Sequence, residues 1–377
     1  MIRVKYGRAL GAAAAGAYAF AAASLAALAM PTQPLSTIHT PRAVAGAGVP
    51  GGASVTRQLH HIVTIGSTVD PQNGDQNPYG LTIAPSTYGA MTQGDLVVCN
   101  FNDSLNIQGL GTTIEILHPT PGSTPTRLVQ DQQITGCDAI ALDTGDNPWT
   151  SDFTANTDMV YDSSGNFVAN LSGAPFYEVP WGQAYSGTKG PYGQAAFYES
   201  NATDGSITRI NITQKGFRAQ VIATGFSVNH GFPGTALAPS GLTYDAAHDT
   251  LYIVDGNVNE VVAFHDASLI PAHGIAVNGF TYNGVAAPLA ETVFHGTPLS
   301  APISAAELYN GNLVVGNTFN NELVEINPTT KAVVHMVNLD KHAIGALFGI
   351  AATGTSASNT QIFFNDDNLN AVEVLQQ

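Results

Sequence analysis

The sequence predicts an all-β protein: a six-bladed β-propeller of four-stranded antiparallel blades, closed by an N-terminal strand that pairs into the last blade. Three observations predict it. A hairpin recurs six times, a short strand of small and apolar residues precedes each copy, and a spare strand stands before the first unit.

The hairpin is clearest in TLYIVDGNVNEVVAF, residues 250–264, where an apolar strand ends at Asp255, a short Gly/Asn turn follows, and a second apolar strand starts near Val261. The plan recurs in NLVVGNTFNNELVEI at 312–326, QIFFNDDNLNAVEVL at 361–375 and AAFYESNATDGSITRI at 195–210. A version with a longer turn spans 95–117, and a weaker one is TDMVYDSSGNFVANL at 157–171. Asn and Asp suit the end of the first strand because they tolerate the left-handed conformation and bond to the turn backbone.

The preceding strand reads PYGLTIAP at 78–85, GCDAIALD at 136–143, PWGQAYS at 180–186, PSGLTYD at 239–245, PISAAEL at 302–308 and LFGIAAT at 347–353. Small side chains are what the innermost strand of a blade needs, where strands converge on an axis. A further strand follows several hairpins: 126–130, 218–226, 291–296 and 332–339. The units recur about every 54 residues. The last has only three strands, and TRQLHHIVTIG at 56–66 supplies its fourth, which hides two sheet edges. A seventh blade would require residues 264–300 to hold an irregular one.

The N-terminus reads separately. Arg3, Lys5 and Arg8 precede an uncharged, Ala-rich run from Ala9 to Met30, and Ala27-Leu28-Ala29 is a cleavage pattern. Residues 1–29 are expected to be a secretory signal peptide, which makes the protein exported, periplasmic or extracellular. A run of this length also leaves an uncleaved anchor open, and that anchor is the only membrane attachment expected. Residues 30–55 read as a flexible linker and 56–377 as the propeller. Past the signal the chain carries nine basic against 28 acidic residues, about −19, which opposes nucleic acid and anionic membranes. Cys99 and Cys137, the only cysteines, can form one disulfide in an oxidising compartment.

These repeats resemble NHL-repeat propellers and, distantly, the gluconolactonase/senescence-marker-protein group, across about 320 residues. The resemblance implies a winding in which the turn after the second strand and the start of the innermost strand share one face. On that face fall Asn100, Asn102, Asp138, Asn201, Asp255, Asn317 and Asp366, so that the channel mouth is expected to be lined by amide and carboxylate oxygens. Such oxygens suit a polyhydroxylated ligand or calcium or another divalent cation, with Asp138, Asp255 and Asp366 as candidate metal ligands. Taken singly, each Asn or Asp that ends a strand is a turn former. Asp138 differs, because it starts an inner strand. Asp366 and Asp367 form a carboxylate pair in the last turn. His230 and His295 fall in connecting loops of the same face. Residues 143–156 and 227–240 read as long insertions there, and Trp149, Phe153 and Trp181 could stack on a ring or simply pack. The winding also brings Cys99 and Cys137 towards the same face on neighbouring blades.

No nucleophile elbow, metalloprotease motif, phosphate loop or dinucleotide fingerprint occurs, and no cofactor is evident. The early Glu-Gly-Pro segment that supplies a metal ligand in many lactonases of the resembled group has no counterpart. The leading expectation is a monomeric, non-catalytic propeller that binds a small polar ligand, glycan or protein through its loop face and channel mouth. A metal-dependent, lactonase-like hydrolase or lyase and an envelope assembly protein are the alternatives. Amino-terminal sequencing of the exported protein is expected to begin at Met30; an intact Met1 in that fraction would indicate the anchor instead.

Overall fold

The computed structural model describes residues 53–174, 176, 178–187 and 195–377; the signal segment and residues 30–52 of the linker lie outside the described residues. The chain begins with β1 (His61–Ser67) and then lays down six blades. Blade 1 holds β2 (Gln76–Ile83), β3 (Leu96–Asn102), β4 (Thr113–Leu117) and β5 (Thr126–Gln130). Blade 2 holds β6 (Cys137–Leu142), β7 (Pro148–Asp152), β8 (Thr157–Tyr161) and β9 (Phe167–Ser172). Blade 3 holds β10 (Pro180–Tyr185), β11 (Ala196–Asn201), β12 (Ser206–Thr213) and β13 (Gly216–Thr224). Blade 4 runs through β14 (Pro239–Asp245), β15 (Thr250–Asp255) and β16 (Glu260–Phe264). An excursion carrying β17 (Ile275–Asn278) and β18 (Thr281–Asn283) follows, and β19 (Ala290–His295) completes the blade. Blade 5 holds β20 (Pro302–Glu307), β21 (Leu313–Asn317), β22 (Glu322–Asn327) and β23 (Ala332–Asn338). Blade 6 holds β24 (Leu347–Thr353), β25 (Gln361–Asp366) and β26 (Ala371–Gln376).

Strand β1 pairs antiparallel with β26, His61 opposite Gln376 and Ser67 opposite Ala371, and so becomes the outer strand of blade 6. The segment before it hangs on a buried carboxylate. Glu325 of β22 accepts the backbone N–H groups of Val55 and Thr56 and the hydroxyls of Ser54 and Thr56. Each blade buries alternate faces against both neighbours, which divides the core into separate apolar clusters between successive blades. The seal between blades 6 and 1, for example, packs Ile65, Phe363 and Val374 against Leu81, Leu96 and Val98.

Two expectations change. Residues 143–156 are not one long insertion, because β7 runs through them. The 157–171 hairpin is therefore the third and fourth strands of blade 2 rather than the second and third. The strand PWTSD was hard to read because its polar residues are buried and bonded internally. Thr150 Oγ1 donates to Asp152 Oδ2, Ser151 Oγ donates to Glu199 Oε1, and Trp149 stacks on Phe197 at 4.0 Å. Residues 264–300 hold no seventh blade. Strand β17 pairs in parallel with β13 and carries β18 with it, extending the sheet of blade 3 to six strands.

The inner strands meet too tightly for ordinary side chains. A Cβ placed on Gly182 would lie 1.8 Å from the Ser240 carbonyl oxygen of the next blade, and one on Gly349 would lie 2.4 Å from that of Tyr79. Hydrogen bonds cross the same gaps: Ser200 Oγ donates to Ser240 O, and Asn365 Nδ2 donates to Tyr79 O and Gly80 O. The disulfide Cys99–Cys137 ties β3 to β6 with a Cα separation of 5.7 Å.

Because Ile65 is 1 % exposed within the closing seal, Ile65→Ala should lower unfolding stability by about 2–5 kcal/mol in a denaturant titration. A loss below about 1 kcal/mol would mean that β1 does not close the ring.

Candidate functional site

The strand ends that carry the predicted site residues do share one face. Each inner strand starts opposite the end of its second strand: Pro78 faces Asn100, Cys137 faces Asp152, Pro180 faces Asn201, Pro239 faces Asp255, Pro302 faces Asn317 and Leu347 faces Asp366. Immediately after that pair every inner strand carries a bulge, one extra residue that re-aims the next side chains.

The polar atoms at these strand ends serve the chain itself. Asn100 Nδ2 donates to Thr68 O and Thr113 Oγ1, and Asn201 Nδ2 donates to Ser206 Oγ and Thr208 Oγ1. Asn317 Nδ2 donates to Pro298 O while its oxygen accepts from Ser300 N. Asp255 accepts Asn257 N and Val258 N, and Asp366 accepts Leu369 N. Asn102 holds the long turn of blade 1 through Asn106 and Gly109. The candidate metal ligands Asp138, Asp255 and Asp366 stand on blades 2, 4 and 6. No group of three His, Cys, Asp or Glu among the described residues is arranged to hold a metal ion. His230 is exposed at a left-handed position of the loop before β14. His295 ends an outer strand, stacked on Phe280 at 4.4 Å. Trp149 belongs to the packing between blades 2 and 3.

The mouth is therefore not the expected ring of oxygens. Its walls come largely from the residue just after the strand-end pair: Tyr79, Asp138, Trp181, Ile303 and Phe348. Tyr79 stacks between Phe101, at 4.1 Å, and Phe348, at 3.7 Å, while Phe153 meets Phe101 and Trp181 edge-on. This aromatic collar was legible as a dipeptide, an aromatic before the inner-strand glycine in PYGL, PWGQ and LFGI. Beneath it lies a chamber of about 80 Å³, lined by Tyr79, Asp138, Trp181, Gln183, Ser304 and Phe348 among others. A waist that includes Leu81, Ile140, Leu242 and Ile350 also borders a wider funnel of about 580 Å³ on the opposite face.

Two loops from opposite blades roof the collar. A Cβ on Gly109, in the blade 1 turn, would lie 3.1 Å from Pro233 Cβ; one on Gly234 would lie 2.8 Å from Gln108 Oε1. Tyr79 Oη donates to the same Gln108 oxygen. The expected insertion at 227–240 thus covers the axis.

Behind the collar stands an acidic cluster that local sequence did not disclose. Asp138, Asp152, Asp158 and Glu199 are all buried. Burial pushes Asp138 well above the usual carboxylate range, and the neighbouring Glu199 and Asp152 push it further. Burial and then Asp158 do the same to Asp152 and to Glu199. Gln183 Nε2 donates to Asp158 Oδ2, tying β10 to β8. Asp138 and Gln183 Oε1 have no side-chain hydrogen-bond partner, and only the backbone N–H groups of Asp138 and Ala139 oppose the rise of the Asp138 carboxyl.

No family model and no curated protein matches the chain. Solved structures do. A chain from a nidogen/laminin complex aligns with a TM-score of 0.54 at 15% identity, over 78% of this chain and 98% of that one. A catalytically inactive virginiamycin B lyase from Staphylococcus aureus, with quinupristin, aligns at 0.50 and 14% identity, over 84% and 99%. A Bacteroides thetaiotaomicron protein of unknown function aligns at 0.55 and 11%, over 84% and 75%. At these identities the likeness is one of fold.

The raised carboxyls set a direction for stability against pH. Burial lifts Glu115 to about 9, Asp255 and Glu307 to about 7, and Asp366 and Asp367 to about 6. Between about pH 4 and 9 the folded chain binds more protons than the unfolded chain, so stability falls as pH rises. Asp70 opposes this: burial raises it, but the Arg127 guanidinium, with nitrogens 2.6 Å from both oxygens, holds it low. Its contribution is lost only at more acidic pH. The melting temperature should decline from pH 5 to pH 9, and Asp152→Asn with Glu199→Gln should flatten the decline. A rise over that range would contradict the buried cluster.

Proposed function

We propose that this protein is an exported binding propeller that docks a protein partner on its roofed loop face, without catalysis of its own. The observation that carries this reading is a set of exposed apolar side chains on neighbouring turns of that face. Leu105 and Ile107 project from the blade 1 turn, and Phe232, 82 % exposed, projects from the roof loop beside it. Phe319, Ile344 and Leu369 extend the set over blades 5 and 6. The segments that bear them are joined: Gly345 N donates to Thr318 O, Asn368 Nδ2 to Ala343 O, and Gln76 Nε2 to the carbonyls of Asp103 and Ser104. Scattered apolar residues are ordinary on a surface, whereas a set gathered on joined segments points to an interaction site. The nidogen/laminin neighbour is a propeller-like chain in a protein complex, which is consistent with this use of the fold.

The doubly substituted Leu105→Asp/Phe232→Asp protein should lose at least about tenfold in affinity for a partner captured by the wild type, with an unchanged melting temperature. Tyr309→Asp, at an exposed turn on the opposite face, should retain that partner. Equal capture by all three proteins, or loss with Tyr309→Asp alone, would overturn the reading.

A further inference from the structure

We infer that the chamber beneath the roof binds a small primary ammonium ion, held by the oxygens of Asp138 and Gln183 beside the rings of Trp181 and Phe348. This site is independent of the docking surface above it.

The chamber offers buried acceptors that lack side-chain partners. Asp138 is 7 % exposed, and both its oxygens lack a side-chain partner, as does Gln183 Oε1 on the adjacent inner strand. A buried polar atom left unpaired is costly, and in a native fold it marks a place where something else bonds. Three other polar side-chain groups of the lining are occupied: Ser304 Oγ donates to Phe348 O, Tyr79 Oη to Gln108, and Gln183 Nε2 to Asp158. An unpaired acceptor calls for a donor, and the Trp181 indole N–H is the one side-chain donor of the lining left uncommitted.

The surroundings favour a cation, which would displace the proton that burial keeps on Asp138. No Lys, Arg or His lines the chamber. Asp152, Asp158 and Glu199 stand behind Asp138, and a positive charge at the chamber offsets the repulsion among these carboxyls. The rings of Trp181 and Phe348 line the same chamber, and an aromatic face favours a cation. An ammonium group brings three N–H donors. Size limits the rest of the ligand. About 80 Å³ holds a few water-sized groups, so the match is an amine of methylammonium to ethylammonium size. A hard divalent ion is a poor match. Calcium takes six to eight oxygens, while the side-chain oxygens of the lining residues are those of Tyr79, Asp138, Gln183 and Ser304, the two hydroxyls already donating elsewhere.

The test is thermal unfolding of the full chain at pH 7 with methylammonium chloride, against equal ionic strengths of potassium chloride and calcium chloride. The wild type should gain about 4 °C at a hundredfold excess over the dissociation constant, rising with the logarithm of concentration. Asp138→Asn keeps the shape of a protonated acid and should abolish the gain; Gln183→Leu should weaken binding about tenfold. The upper-face variants Leu105→Asp/Phe232→Asp should keep the full gain, which separates this site from the docking surface. No gain in the wild type, an equal gain with potassium, a gain with calcium alone, or a gain undiminished in Asp138→Asn would each overturn the proposal.

Discussion

Six strands converge on one axis, and the space left there governs much else in this molecule. Where neighbouring inner strands touch, the chain places Gly80, Ala139, Gly182, Gly241, Ser304 and Gly349. At Gly182 even a methyl group would fall inside a carbonyl oxygen of the next blade. Backbone at such distances must be hydrogen-bonded across the gap. Ser200, Ser304 and Asn365 supply donors that reach the carbonyls of the adjacent blade. The bulge after the first pair of every inner strand follows from the same constraint, since it turns one residue out of the ladder above the point of closest approach.

That residue decides the character of the channel. On three blades it is aromatic, and the rings of Tyr79, Trp181 and Phe348 join Phe101 and Phe153 in a collar. On blade 2 it is Asp138. A carboxyl among rings, backed by three more carboxyls, is an expensive arrangement for an isolated fold. The polar residues of β7 and Gln183 of β10 satisfy part of it. The oxygens left without side-chain partners border the chamber, which localises the polar demand to one side of an otherwise apolar collar.

Outward from the axis the six blades differ mainly in their turns. The long turn of blade 1 and the loop entering blade 4 meet over the collar. The tips of that turn, of the loop and of the turns of blades 5 and 6 carry exposed apolar side chains. The roof therefore separates two surfaces: an enclosed polar demand below and exposed apolar side chains above. The Cys99–Cys137 disulfide ties blade 1 to blade 2, and the β1–β26 pairing completes blade 6 on its other side.

The repeat was legible in sequence because each of its signals is local. Apolar alternation, the Asn or Asp that turns the chain, and glycine before the inner strand act within a few residues. All six inner strands and the closing strand could therefore be placed from sequence alone. The reading failed at β7, where PWTSD lacks an apolar pattern because its buried hydroxyls and carboxyl are paired with residues of the same blade and with Glu199 of the next. The site was less legible for the same reason. The strand-end residues Asn100, Asn201, Asp255, Asn317 and Asp366 announce themselves by position, yet tertiary contacts commit their polar atoms to the turns. Asp138 and Gln183 are inconspicuous in sequence. Only the meeting of β6 with β10, and of two loops from opposite blades, leaves their oxygens buried without side-chain partners. The sequence by itself determined the blades, because strand and turn preferences are short-range. The tertiary structure alone decided the site, because burial and pairing are properties of neighbours distant along the chain.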